Sequence, residues 1–176
     1  YTAASLGAGA GSTYRLGTGN SNLNINAPVL VGANAVQIGA INNGIAAQSA
    51  TMTNSGGTVL LNTPNTYTLG TTINTSAALQ IGAAGAIGNG TLVFNGGTVQ
   101  PDGSLGLARA LQPLTLANNI SFLGDATFGG AVDLVLTGTL TLGQGSGPST
   151  RSAGVPLRGS CRRSSACVDY KPQLPL

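Results

Sequence analysis

The sequence predicts an all-β chain wound as a parallel β-solenoid, and three observations lead there. The first is repetition. Gly56-Gly57-Thr58-Val59 returns forty residues later as Gly96-Gly97-Thr98-Val99. Fainter echoes lie upstream: Thr13-Tyr14-Arg15-Leu16-Gly17 against Thr66-Tyr67-Thr68-Leu69-Gly70, and Val36-Gln37-Ile38-Gly39-Ala40 against Leu79-Gln80-Ile81-Gly82-Ala83. A period of this size marks supersecondary units stacked along one axis, each touching its neighbours and sharing one core. An antiparallel sandwich gives its strands no reason to resemble one another at a fixed offset.

The second observation is composition. Charged residues make up 6% of the 176, against a usual share of roughly a quarter, while 41% are hydrophobic. The chain holds 28 Gly and no His, Trp or Glu. Its solvated face must be built from Thr, Ser and Asn. Thr suits a pleated strand because its Cβ is branched, and Asn and Gly suit turns. Stacked parallel strands also disfavour charge, because like residues lie about 4.8 Å apart. Carboxylates or ammonium groups would repel at that distance, whereas Thr and Asn ladders hydrogen-bond. Glycine density nearly excludes helix, and Leu105–Leu111 is the best helical candidate, one or two turns at most. No apolar run approaches the roughly 20 residues of a membrane helix.

The third observation is alternation with period two. Asn22–Asn26 alternates Asn with Leu and Ile. Further strands are predicted at Thr58–Leu61, Thr71–Ile73, Ala78–Ile81, Thr91–Phe94, Thr98–Gln100, Leu111–Leu116, Ile120–Leu123 and Ala126–Phe128. Leu134–Leu142 is the clearest: Leu134, Leu136, Leu140 and Leu142 should face inward, with Thr137, Thr139 and Thr141 outward. Gly138 interrupts it where a strand turning a corner needs a glycine. Turns such as Asn95-Gly96-Gly97, Pro101-Asp102-Gly103 and Gly129-Gly130 separate the strands. At roughly 20–25 residues per turn, residues 1–145 make about six or seven rungs, roughly 30 Å of solenoid. After Gly147-Pro148 the language changes. Residues 146–176 carry Ser, Arg, Pro and both cysteines without alternation, and form a separate tail or cap.

The residues from Gly56 to Gln100 resemble the passenger-associated transport repeat of bacterial autotransporters. That repeat runs from a Gly-Gly-Thr-Leu strand through Asn-Thr-Tyr, a Gly-Thr-Thr-Ile turn and strand, Leu-Gln-Leu-Gly, and a Gly-Asn/Ser-Gly strand back to Gly-Gly. Here the elements stand in the same order as Gly56-Gly57-Thr58-Val59, Asn65-Thr66-Tyr67, Gly70-Thr71-Thr72-Ile73, Leu79-Gln80-Ile81-Gly82 and Gly88-Asn89-Gly90. Residues 111–142 look like the unit that often follows such repeats. The resemblance implies a right-handed parallel β-helix, secreted through an outer membrane by the type V route and displayed or released outside the cell. It also implies that the repeat serves transport and folding of the passenger rather than an active site. The start at Tyr1, with no leader ahead of it, reads as a mature or excised chain.

Function follows as an expectation: an extracellular, non-enzymatic structural or adhesive solenoid needing no cofactor and no metal. The alternatives are a self-assembling filament subunit, stacked head to tail through open sheet edges, and a polysaccharide-active β-helix. The usual acid–base residues are scarce. Asp125 and Asp133 are the nearest approach to a carboxylate pair, set against their reading as solvated turn residues. Gly17-Thr18-Gly19-Asn20 and Gly143-Gln144-Gly145 read as turns, because neither opens a helix or carries a phosphate-binding lysine. Residues 1–150 hold Arg15 and Arg109 against Asp102, Asp125 and Asp133, a net −1, too weak a field for nucleic acid. Residues 151–176 carry +4, from five cations against Asp169. Cys161 and Cys167 are a candidate local disulfide in a secreted chain, or else free or intermolecular thiols. Arg158, Arg162 and Arg163 form a basic patch, either solvated or directed at an anionic surface glycan or a partner chain. Tyr14 and Tyr67 occupy matching places in the echoed phrases and are expected to stack along the axis, with a sugar-binding platform as the alternative.

Overall fold

The computed structural model describes residues 4–17, 21–39, 58–102, 113–130 and 132–143. These residues are all-β. Thirteen short strands run in order: β1 (Thr13–Leu16), β2 (Leu23–Ile25), β3 (Ala35–Ile38), β4 (Thr58–Leu61), β5 (Thr71–Asn74), β6 (Ala78–Ile81), β7 (Leu92–Asn95), β8 (Thr98–Pro101), β9 (Leu114–Leu116), β10 (Ile120–Phe122), β11 (Thr127–Phe128), β12 (Leu134–Leu136) and β13 (Leu140–Leu142). Every strand pairing is parallel. One sheet has the order β1-β3-β5-β7-β10-β13, a second has β11-β8-β6-β4-β2, and a third pairs β12 with β9. From β1 to β8 the chain alternates between the two larger sheets, one strand in each.

Register turns the alternation of the sequence into columns. In the first sheet Leu16, Ile38, Ile73, Phe94, Phe122 and Leu142 lie one above another. A second column of that sheet runs Tyr14, Val36, Thr71, Leu92, Ile120, Leu140. The second sheet answers with Leu23, Val59, Leu79, Val99, Phe128 and with Ile25, Leu61, Ile81, Pro101. These columns form the hydrophobic core, in which Ile73, Leu79, Leu92, Phe94 and Val99 are fully buried. The intervening positions Arg15, Gln37, Thr72, Val93, Ser121 and Thr141 form a more exposed column. Phe94 stacks on Phe122 with centroids 5.1 Å apart, and Phe128 closes the trio at 5.3 Å from Phe94.

The forty-residue repeat is two tiers rather than one. Val59 lies opposite Leu79, and Leu79 opposite Val99, twenty residues apart in each case. The two upstream echoes are not structural equivalents. Tyr14 lies in β1 and pairs with Val36, whereas Tyr67 lies in the connection between β4 and β5. Val36-Gln37-Ile38 lies in β3 of the first sheet and Leu79-Gln80-Ile81 in β6 of the second. The resemblance is that of two apolar strand edges with the same in–out pattern. The aromatic stack expected of Tyr14 and Tyr67 is therefore absent, and the three phenylalanines supply one instead.

The strand predicted across Leu134–Leu142 is two strands in two sheets, broken at Thr137-Gly138-Thr139. A Cβ on Gly138 would run into the backbone carbonyl of Asn118, so only glycine fits the corner. Leu134, Leu136 and Leu140 pack against the core as expected, but Leu142 is 63% exposed because β13 is the edge of its sheet. The strands β1 and β3 were not among those read from alternation. The helical candidate Leu105–Leu111 lies outside the described residues.

The columns set a clear order of costs. Phe94→Ala should destabilise by about 3–5 kcal/mol. Thr72→Ala should cost under about 1 kcal/mol, because its side chain lies on the outward face and is only half-buried. Chemical denaturation of the two variants checks this, and equal losses at Phe94 and Thr72 would mean that the faces are exchanged.

Candidate functional site

The most organised polar chemistry lies inside the connections that join the strands. Turning a chain between parallel sheets takes its backbone amides out of the ladder, and buried amides must find other partners. Asn65 is 5% exposed and supplies three at once. Its side-chain oxygen accepts from the Leu30 N–H at 3.2 Å. Its amide donates to the Thr63 carbonyl at 3.0 Å and to the Ala86 carbonyl at 2.9 Å. One side chain thus ties its own tier to the segments below and above. Asn118 ties its tier to the one below, donating to the Gly88 carbonyl at 3.0 Å and the Gly90 carbonyl at 2.7 Å. Asn74 donates to the Gly39 carbonyl at 3.1 Å and accepts from Asn95, and Asn62 donates to Asn26 at 2.6 Å.

Tyr67 sits in the same connection, fully buried, with its hydroxyl hydrogen-bonded to the hydroxyl of Thr71. Thr71 is the one polar residue in its core column, and the tyrosine is the partner that lets it be buried. Burial pushes the Tyr67 phenol well above its ordinary range, and the hydrogen bond from Thr71 offsets a smaller part of that shift. Tyr14 is also buried, but its hydroxyl reaches the backbone of Val31 at 3.3 Å. Both phenol rings are enclosed, so neither offers a sugar a flat exposed face.

Asp102 is 4% exposed and accepts a hydrogen bond from the Gln80 side chain at 2.8 Å. It borders a cavity of about 350 Å3 lined by Ile81, Ala84, Pro101, Leu114, Thr115 and Val132, together with Pro113. Asp102 is the only ionisable group among the described residues lining that cavity, and carboxylate-pair glycoside chemistry needs two. Asp125 and Asp133 do not line it. Asp125 is exposed in the connection between β10 and β11, and Asp133 is half-buried ahead of β12, its carbonyl accepting from the Leu114 N–H. Among the described residues no three His, Cys, Asp or Glu side chains gather where a metal could be held, and no helix is long and apolar enough to cross a membrane. Cys161, Cys167, Arg158, Arg162 and Arg163 lie outside the described residues.

The buried asparagines were missed by sequence reasoning, which placed Asn in exposed turns. The signal was present in the phrase Asn65-Thr66-Tyr67, where a polar residue sits two positions before a core aromatic on the same side of an extended chain. Comparison with protein-family models, with curated proteins and with solved structures finds no match to this chain.

Two measurements test the interior. Asn65→Ala leaves the Leu30 N–H and the Ala86 carbonyl buried without their partner, and should cost about 2–4 kcal/mol by denaturation. A loss below about 0.5 kcal/mol would show that Asn65 is a solvated turn residue. For Tyr67, the folded state holds the proton more tightly than the unfolded state. Its contribution is therefore complete below about pH 10, where an unfolded tyrosine ionises, and is lost as pH rises above that. The melting temperature should fall steeply above pH 10, and the fall should be shallower in Tyr67→Phe; identical alkaline slopes would contradict the buried, un-ionised phenol.

Proposed function

We propose that this chain is a non-enzymatic, extracellular structural or adhesive rod, wound as a right-handed parallel β-helix and secreted in the manner of an autotransporter passenger. The observation that carries the reading is the twenty-residue offset at which Val59, Leu79 and Val99 pair in succession. A chain built this way buries its core tier by tier, through neighbours alone. It can pass a membrane unfolded and take up structure progressively as it emerges, without waiting for a distant segment. The residue order of Gly56–Gln100 supports the same reading through its resemblance to the transport repeat. So does the chemistry of the interior, where Asn65, Asn74, Asn118 and the Tyr67–Thr71 pair all serve the scaffold. The partners that suit such a rod are cell-surface glycans or proteins.

The filament reading needs both ends of the stack to be open. Against it stands the first end. Leu6 and Ala8 pack against the core cluster, and Gly9 folds back onto Thr13 as an antiparallel bridge. That short return occupies the start of the β1 edge, at Thr13, where a head-to-tail neighbour would have to pair.

The secretion reading is tested by fusing the chain ahead of an outer-membrane translocator barrel in a Gram-negative host. The chain should reach the surface and be cleaved by protease added to intact cells. Folded chain retained in the periplasm, with the barrel inserted, would overturn it.

A further inference from the structure

The two ends of the stack are finished differently, and the difference identifies an interaction surface. At the first end Leu6 and Ala8 lie over the core, and Arg15 donates to the Ala10 carbonyl at 3.0 Å across the fold-back. At the other end β11, β12 and β13 are the edge strands of all three sheets among the described residues. The core column there runs from Phe94, fully buried, through half-buried Phe122 to Leu142 at 63% exposed. Leu123 beside it is 64% exposed. Leu134, Leu136 and Leu140 are only partly covered, although each continues a column whose lower members, Leu114, Leu116 and Ile120, are buried. Among the described residues, one tier of apolar side chains and backbone edges has no further strand beside it.

We propose that the chain's own C-terminal segment, residues 144–176, docks on this edge and closes the stack. Three observations favour it over other occupants. The chain leaves β13 at Gly143, on the edge itself, and 33 residues follow. A tier takes twenty, so the segment is long enough to lay one complete turn over β11, β12 and β13. The segment is also made of the residues that blunt a sheet edge. Pro148, Pro156, Pro172 and Pro175 cannot donate to a further strand, and five cations repel one. Charge is complementary as well. Two of the three carboxylates of residues 1–150, Asp125 and Asp133, lie within the last stretch of chain before that edge, and residues 151–176 carry +4. A second copy is disfavoured as occupant, because at its first end Leu6 and Ala8 pack against the core and Gly9 bridges onto the start of β1. The proposal does not depend on where the protein works.

The full chain tests it, since its two cysteines both lie in the segment. Cys161 and Cys167, reduced and labelled with a photoactivated cross-linker, should join to residues 120–143 within one chain, with a yield independent of protein concentration. The triple variant Arg158→Glu, Arg162→Glu, Arg163→Glu should speed amide exchange at Leu140–Leu142 at least about threefold, while Thr71–Asn74 exchanges as before and reports that the fold is intact. Cross-links scattered over the body, or exchange at Leu140–Leu142 unchanged by the triple variant, would overturn the proposal. Cross-links found only between chains, with concentration-dependent yield, would instead identify a second copy as the occupant.

Discussion

The rest of the structure depends on how the backbone is satisfied where it leaves one sheet and has not yet joined the next. Parallel strands satisfy their own amides, but the connections between them are also stacked and partly buried. An unpaired amide there costs about as much as a lost hydrogen bond. Part of the answer is backbone to backbone, as when the Thr66 and Thr68 N–H groups donate to the carbonyls of Leu30 and Gly32 one tier below. Asn65 supplies what remains. Its oxygen and its two amide hydrogens reach Leu30, Thr63 and Ala86, a set that no aliphatic residue could serve. A carboxylate could accept from Leu30 but could not donate to the two carbonyls. Asparagine is thus required by valence as well as by size.

The scarcity of charge follows from the same stacking. Each strand position looks directly at its counterpart in the next tier, so like charges at one position would face each other up the column. In the exposed column Gln37, Thr72, Ser121 and Thr141 are polar and uncharged, Val93 is apolar, and the one charge, Arg15, stands at the end of the column beside Gln37. In the core column the exception is Thr71, and it is tolerated because Tyr67 rises from the preceding connection to bond its hydroxyl. Gly97 belongs to the same logic. It adopts a φ of 102°, and a Cβ there would lie 2.6 Å from the Asn74 carbonyl and 2.8 Å from that of Ala77. In Gly96-Gly97-Thr98-Val99 this tight corner comes directly before the inward Val99.

Most of this architecture was legible in the sequence, for a physical reason. Period-two alternation records which side of a strand is buried, and it located β4, β5, β6, β8 and β10 to within a residue or two. It failed at β1 and β3, although each is four residues long, like β4, β5, β6 and β8. Thr13–Leu16 and Val36–Ile38 enter the sequence reading only as echoes of Thr66–Leu69 and Leu79–Ile81, and not as strands. Alternation also runs straight through a corner when the corner residue keeps the phase, as Gly138 does between β12 and β13. The interior polar chemistry was less legible. Asn65 and Asn118 resemble turn asparagines in composition, and what distinguishes them is the tier above, which residue order alone does not place.

The registers also explain how a stack of twenty-residue tiers tolerates irregular lengths. Leu23 lies opposite Val59, thirty-six residues on, and Thr98 lies opposite Thr127, twenty-nine on, yet the columns continue without a slip in phase. The extra residues enter in the connections that follow β3 and β8. A parallel pairing asks only that a strand return above its predecessor with the same side facing inward. The excursion between them contributes loop entropy that grows slowly with length, and each doubling costs only about 0.6 kcal/mol. Insertions are therefore cheap in stability and leave the neighbouring tiers unchanged. This is why the pairings of Leu23 with Val59 and of Thr98 with Thr127 stand at offsets that are not multiples of twenty. It is also why such a scaffold can vary its connections widely while Ile38, Ile73 and Phe94 remain stacked beneath them.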